Sequence, residues 1–203
     1  MKIIKSSPEH IPTVSDLFCR AFADSINFFA PDNPKIIKAV ADIFNLILHS
    51  AGEGFFVAVD DKENVYGYIV VIGDIRRLWK DAFVSGFAFR ALYRWLAGSY
   101  GIGTASVIRV IRNKIFYMGF EMGTKPAGQI LSVAVHPDWQ GQGIGKALVD
   151  SGLDLLHSNG VDTIKLEVRP ENTAAIRIYS QYGFVERGRT RDLQGEWIVM
   201  QIG

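Results

Sequence analysis

The residue spacing most open to chemistry lies between Ile130 and Leu148. An apolar stretch passes through His136-Pro137-Asp138-Trp139 into Gln140-Gly141-Gln142-Gly143-Ile144-Gly145, and a helical apolar pattern follows. Glycines at alternate positions leave backbone N–H groups uncovered, so a bulky anion can come close to them. Those N–H groups are also the unsatisfied donors of a helix's first turn, at the positive end of its dipole. A strand, a glycine-rich turn and a helix start in this order make a pyrophosphate site, with Lys146 able to add positive charge at the rim. The alternative is a tight turn that lets helix and strand pack closely. A P-loop is excluded, because Gly145-Lys146 is followed by Ala147 rather than Ser or Thr. A dinucleotide fingerprint is excluded too, because glycines 141, 143 and 145 read G-x-G-x-G. Two further residues stand out downstream. Asn172 follows Pro170 where a helix starts and is a good N-cap. Tyr179 shares a helical stripe with Ala175 and Tyr182, where an aromatic can simply fill the core.

The elements that must position these residues are legible in the hydrophobic periodicity. Lys2 to Lys5 reads as a strand, and Ser7-Pro8 as the start of a helix carrying Ile11, Val14, Leu17, Phe18, Ala21 and Phe22. A second helix is expected from about Pro34 to Ser50, ended by Gly52. Phe55–Val59 and Val65–Ile72 read as an antiparallel hairpin around the polar turn 60–64. After residue 125 the order is strand (Gln129–Val135), helix (Gly143–Ser158), strand (Thr163–Val168), helix (Asn172–Tyr182), then strands Phe184–Arg189 and Trp197–Gln201. The pattern is α+β: one domain over 1–203, with a mixed, largely antiparallel central sheet flanked by helices. A stretch at about 74–125 interrupts it and reads as two or three inserted helices, with Val107, Ile108, Ile111, Ile115 and Met118 in helical register.

Three motifs in chain order resemble the GCN5-related N-acetyltransferase (GNAT) superfamily. Val135 to Gly145 is similar to its acyl-CoA-binding signature, with Gln140, Gly143 and Gly145 matching position by position. Arg169-Pro170-Glu171-Asn172, Ala175-Ile176-Arg177-Ile178-Tyr179 and Tyr182-Gly183-Phe184 resemble its second motif, and Ser7 to Pro12 its opening helix. The resemblance implies an acyl-CoA N-acyltransferase domain that moves an acetyl group from acetyl-CoA to a primary amine by direct attack, with no metal. It assigns the pyrophosphate to the backbone of Gln140, Gly141, Gln142, Gly143, Ile144 and Gly145 with Lys146 beside them. It assigns the coenzyme arm to main-chain groups of Val133 and Val135 along a splayed strand edge, and to Asn172, either as cap alone or in both roles. Tyr179 takes the general-acid position, where a phenol in reach can protonate the departing thiolate. Many members carry a Glu near the start of the signature strand; here that place is held by Gln129, which cannot accept a proton. Glu121, Glu167, His136 or a water relay are the substitutes. A non-catalytic acyl-CoA-binding sensor or scaffold is the alternative to an enzyme.

Composition bounds the rest. The 203 residues are 48% hydrophobic with a net charge of +1, which excludes a disordered chain. A single cysteine, Cys19, forms no intramolecular disulfide and fits a reducing compartment. MKIIKSS is no signal peptide, so a cytoplasmic location is expected. Ala82–Ile108 is the most membrane-like stretch, but Arg90 and Arg94 interrupt it and no transmembrane segment is expected. The near-zero charge is an average: residues 74–125 hold nine basic and three acidic residues, a net +6, and the remainder is −5. The insertion therefore reads as a self-packed helical subdomain, a lid over an acceptor pocket, or a surface for a membrane or a second copy. No nucleic-acid motif accompanies its charge. The acceptor, a small-molecule or peptide amine, is not encoded in these motifs.

Overall fold

The computed structural model describes residues 1–110 and 128–203. The expected positions Ile111, Ile115, Met118 and Glu121, and the basic residues Arg112, Lys114 and Lys125, lie outside the described residues. Seven strands form one sheet: β1 (Lys2–Lys5), β2 (Phe55–Val59), β3 (Val65–Ile72), β4 (Gly128–Val135), β5 (Ile164–Val168), β6 (Val185–Asp192) and β7 (Gly195–Ile202), in spatial order β1-β2-β3-β4-β5-β7-β6. Every neighbouring pair is antiparallel except β4 and β5. The helices are α1 (Ile11–Ala21), α2 (Ala23–Phe29), α3 (Ile36–Ala51), α4 (Ile75–Val84), α5 (Phe87–Leu96), α6 (Ile144–Ser158) and α7 (Thr173–Gln181), and residues 104–110 are also helical.

Strand alternation divides the interior into two cores. Ile69, Val71, Ile130, Ile164, Leu166 and Met200 point to the face covered by Leu148 and Leu156 of α6 and Tyr179 of α7. Val57, Tyr68 and Val70 point to the other face, under Val14 and Leu17 of α1 and Phe44 of α3. Helix α6 lies so close to β3 that a Cβ at Gly152 would come within 2.8 Å of Val71 Cγ1.

Two helix starts differ from expectation. Pro34 is not helical, because Asn33 forms a turn: its Oδ1 accepts from the Lys35 N–H and its Nδ2 donates to the Tyr100 carbonyl, so α3 begins at Ile36. Ser7-Pro8 opens a single 3₁₀ turn, with the Ser7 N–H donating to His10 Nδ1, and α1 begins at Ile11. The short α2 was not expected. It is separated from α1 by Phe22, whose φ of −117° and ψ of 34° break the helical path.

Candidate coenzyme-binding and catalytic site

Strands β4 and β5 form the floor of the site by failing to stay together. Only Gly128 with Ile164 and Gln129 with Lys165 are paired, and the strands part beyond those two rungs. On its other edge β4 stays paired with β3 as far as Val135. A β-bulge at Leu131 shifts the β3–β4 register, since Val71 pairs with Ile130 but Val70 with Ser132. Main-chain groups of alternate strand residues point to opposite edges. The His136 N–H donates to Tyr66 of β3, so Ala134 also faces β3, and Val133 and Val135 direct their backbone groups into the open groove. The Val135 carbonyl accepts from Gln140 Nε2 at 3.2 Å, which ties the turn back to the strand. The side chains of Val133 and Val135 pack on the α6 core.

The groove runs into the glycine turn. Gly141 (φ +76°) and Gly143 (φ +82°) occupy the left-handed region, which favours glycine. A Cβ at either would meet nothing within 4 Å, and one at Gly145 only an ordinary contact with Val135. Close packing therefore does not require glycine at 141 or 143; the backbone path does, and it leaves the turn open to a ligand. Gly143 is the N-cap of α6, whose first-turn N–H groups at Ile144, Gly145 and Lys146 have no intrahelical acceptor. The Ile144 side chain is buried in the core, so only its backbone faces the turn. Gln142 and Lys146 are exposed. Tyr66 and Trp139 stack at 4.1 Å between centroids and brace the His136–Gln140 turn.

Across the groove, Asn172 caps α7, its Oδ1 accepting from the Ala175 N–H at 3.1 Å. The amide nitrogen of that side chain makes no hydrogen bond among the described residues. Tyr179 is buried in the α6–α7 core, with its ring edge-on to Phe184 at 5.9 Å. Burial pushes its hydroxyl up to about 12, and that hydroxyl makes no hydrogen bond among the described residues. Both sequence readings of Asn172 and Tyr179 thus start from a structural role, and each leaves one polar group unused.

The residues weighed as proton acceptors are spread apart. His136 caps the turn at the C-terminal end of β4, where its Nδ1 accepts from the Asp138 N–H. Gln129 sits at the other end of β4, buried, with Oε1 making no hydrogen bond among the described residues. Glu167 is half-buried in β5, and Glu121 lies outside the described residues. Because Ile130, Ile164, Leu166 and Ile198 face the α6 core, Gln129, Lys165, Glu167 and Trp197 all face the opposite side of the sheet. Lys165 is buried there, and the Arg169 guanidinium lies 3.9 Å over the Trp197 ring, whose Nε1 is also buried without a partner among the described residues. Lys165, Trp197 and Arg169 were not expected at the site. Alternation in Ile164-Lys165-Leu166-Glu167-Val168 was the signal for the first. No three His, Cys, Asp or Glu side chains cluster among the described residues.

Comparison with known proteins agrees with this geometry. A stretch of 57 residues is 47% identical to the [ribosomal protein bS18]-alanine N-acetyltransferase of Escherichia coli strain K12, covering 28% of this chain and 38% of that protein. A stretch of 60 residues is 42% identical to the mycothiol acetyltransferase of Nocardiopsis dassonvillei, covering 30% of this chain and 18% of that protein. The chain thus spans well under half the length of these curated relatives. The fold is shared with a chain in the crystal structure of the NatC complex bound to Gag peptide and CoA, with a TM-score of 0.60 and 20% identity over 100% of this chain and 98% of that one. The acetyltransferase (GNAT) family matches residues 16–184. The glycine turn, the parted strands and Tyr179 all fall within that match, and the chain belongs to the GNAT family of acetyltransferases.

Proposed function

We propose that the protein transfers an acetyl group from acetyl-CoA to a primary amine. The observation that carries this reading is the groove between β4 and β5, with main-chain groups that no strand pairs at one edge and an open left-handed glycine turn at its end. These features fit the coenzyme: the turn amides suit a pyrophosphate, and the backbone of Val133 and Val135 suits the amides of an extended arm. The unused Asn172 amide nitrogen faces the same task from α7.

The arm running back along β4 would bring the thioester past Val133, whose side chain packs on the core that holds Tyr179. The acceptor nitrogen forms a bond to the acetyl carbon, the carbon–sulfur bond breaks, and the sulfur takes the Tyr179 proton, which solvent later restores. The raised affinity of this hydroxyl for its proton keeps it neutral at physiological pH, the form an acid needs. The amine approaches from the sheet face opposite α6 and α7. There Glu167 is the carboxylate held near the parted strands, and it takes the ammonium proton directly or through water. Buried polar atoms of Gln129 and Trp197 on that face suit a polar acceptor better than an aliphatic one.

A panel of small amines and peptides with free N-termini, incubated with acetyl-CoA and read by release of free coenzyme thiol, tests the reading. Turnover on at least one class supports it. Calorimetric binding of CoA without turnover on any amine would make the protein a binding module instead.

A further inference from the structure

We infer that the α4–α5 hairpin is a docking face for an anionic lipid bilayer. The hairpin is held to the body on one side only. Arg94 pairs with Asp42 of α3, Tyr100 donates to the same carboxylate at 2.6 Å, and Trp95 Nε1 donates to the Ile102 carbonyl at 2.8 Å. These bonds fix which side of α5 faces inward. The outward side carries Phe89, Leu92, Tyr93 and Leu96, spaced as successive turns of one stripe and 51 to 74% exposed. Phe83 and Val84 extend it at the hairpin tip, at 67% and 76% exposure. A contiguous set of exposed large apolar side chains marks a surface that meets something other than water.

Charge selects the occupant. Among the described residues of the insertion, 74–110, six are basic and two acidic, a net +4. Arg77 is paired with Asp81, and Arg94 with Asp42. Arg76 and Lys80 are exposed and have no acidic partner among the described residues, whereas Arg90 lines the cleft against α3 beside Arg94. On α4, Arg76 and Lys80 lie one turn apart and lead toward Phe83 and Val84 at the tip. A second copy docked by a two-fold axis would press these cationic faces together. A nucleic acid would match the charge and leave Val84, Leu92 and Leu96 without use. Short basic helices with aromatic and leucine side chains on one face match a bilayer surface of anionic headgroups over acyl chains. No helix among the described residues is long and apolar enough to cross a membrane, so the contact is peripheral. Helix α4 follows the end of β3, where Ile72 pairs with Gln129 at the start of β4, and the glycine turn follows the other end of β4 about 23 Å away, so docking leaves the coenzyme turn in water.

The inference concerns a surface separate from the transfer site, and its test reads binding, so it stands or falls independently of the proposed activity. The full chain is sedimented with vesicles of phosphatidylcholine alone and with about one third phosphatidylglycerol. The expected result is sedimentation with the anionic vesicles, weakened by salt. Neutralising the two outward cations of α4 (Arg76→Gln, Lys80→Gln) is expected to lower the partition about 25-fold, at roughly fivefold per cation. Phe89→Ser with Leu92→Ser and Leu96→Ser is expected to abolish it; these side chains are exposed, so the fold survives, as circular dichroism would verify. No sedimentation with anionic vesicles overturns the inference. So does equal binding to neutral vesicles, or a dimer in analytical ultracentrifugation that the serine variant dissolves.

Discussion

Replacing Gly143 by alanine isolates the backbone of the turn from everything around it. The residue holds φ at +82°, and an added Cβ would touch nothing within 4 Å. The cost to folding is therefore conformational alone, about 1–2 kcal/mol for an L-residue in the left-handed region. If the first-turn amides of α6 hold the pyrophosphate, relaxing that strain re-aims them. Losing one hydrogen bond to a charged group costs about 1.5–3 kcal/mol, a drop in coenzyme affinity of roughly 10- to 150-fold. Gly160 supplies the control: it holds φ at +73°, also with nothing within 4 Å, but follows the opposite end of α6. Urea unfolding should show similar stability losses for Gly143→Ala and Gly160→Ala, while calorimetric titration with CoA shows a loss of affinity only for Gly143→Ala. Equal CoA affinity in the two variants would refute the assignment of pyrophosphate to this turn.

The remaining predictions separate chemistry from structure. Tyr179→Phe should lower kcat about 10²- to 10⁴-fold with the coenzyme KM nearly unchanged, and unaltered turnover removes the general-acid role. Asn172→Asp keeps the capping oxygen and loses the amide donor, so it should retain thermal stability but bind CoA more weakly; Asn172→Ala should also lose about 1 kcal/mol of stability. Glu167→Gln should lower kcat/KM and flatten the acidic limb of its pH profile, and a limb that persists points to water or another acceptor. Burial raises the Tyr179 proton affinity in the folded state, so its stabilising contribution is complete below pH 10 and lost as pH rises through about 12. That is about 3 kcal/mol over the window, and denaturant titrations of Tyr179→Phe should show a shallower alkaline decline than wild type.

What was legible in the sequence was local. Alternating glycines, Pro137 and Pro170, and the apolar stripes of α1, α3, α6 and α7 each act within a few residues, and the helices start within three residues of their expected places. What was not legible depends on strands meeting across the sheet. Nothing in Ile130-Leu131-Ser132 announces a bulge, because the extra residue exists only relative to β3. A splayed edge on β4 is what the family resemblance implies, not the periodicity, and the two-rung pairing with β5 is legible in neither. The shared face of Gln129, Lys165, Glu167 and Trp197 brings together three strands far apart in sequence. The displaced start of α3 has the same kind of origin, since Asn33 turns the chain through a bond to Tyr100 that lies 67 positions away.

Two rungs are a thin seam for a seven-stranded sheet. Among the described residues they are the only ladder joining the β1–β4 block to the β5–β7 block, which α6 also bridges. An extended ligand lying between the parted strands would act as a missing strand and stitch the two blocks together. The core under α6 and α7 already joins the two blocks, and a bound ligand would add main-chain bonds along the open edge. Amide hydrogen exchange across Ile130–Val135 and Leu166–Val168 would slow in step with CoA occupancy, and thermal denaturation would convert from a broad transition to a sharp one.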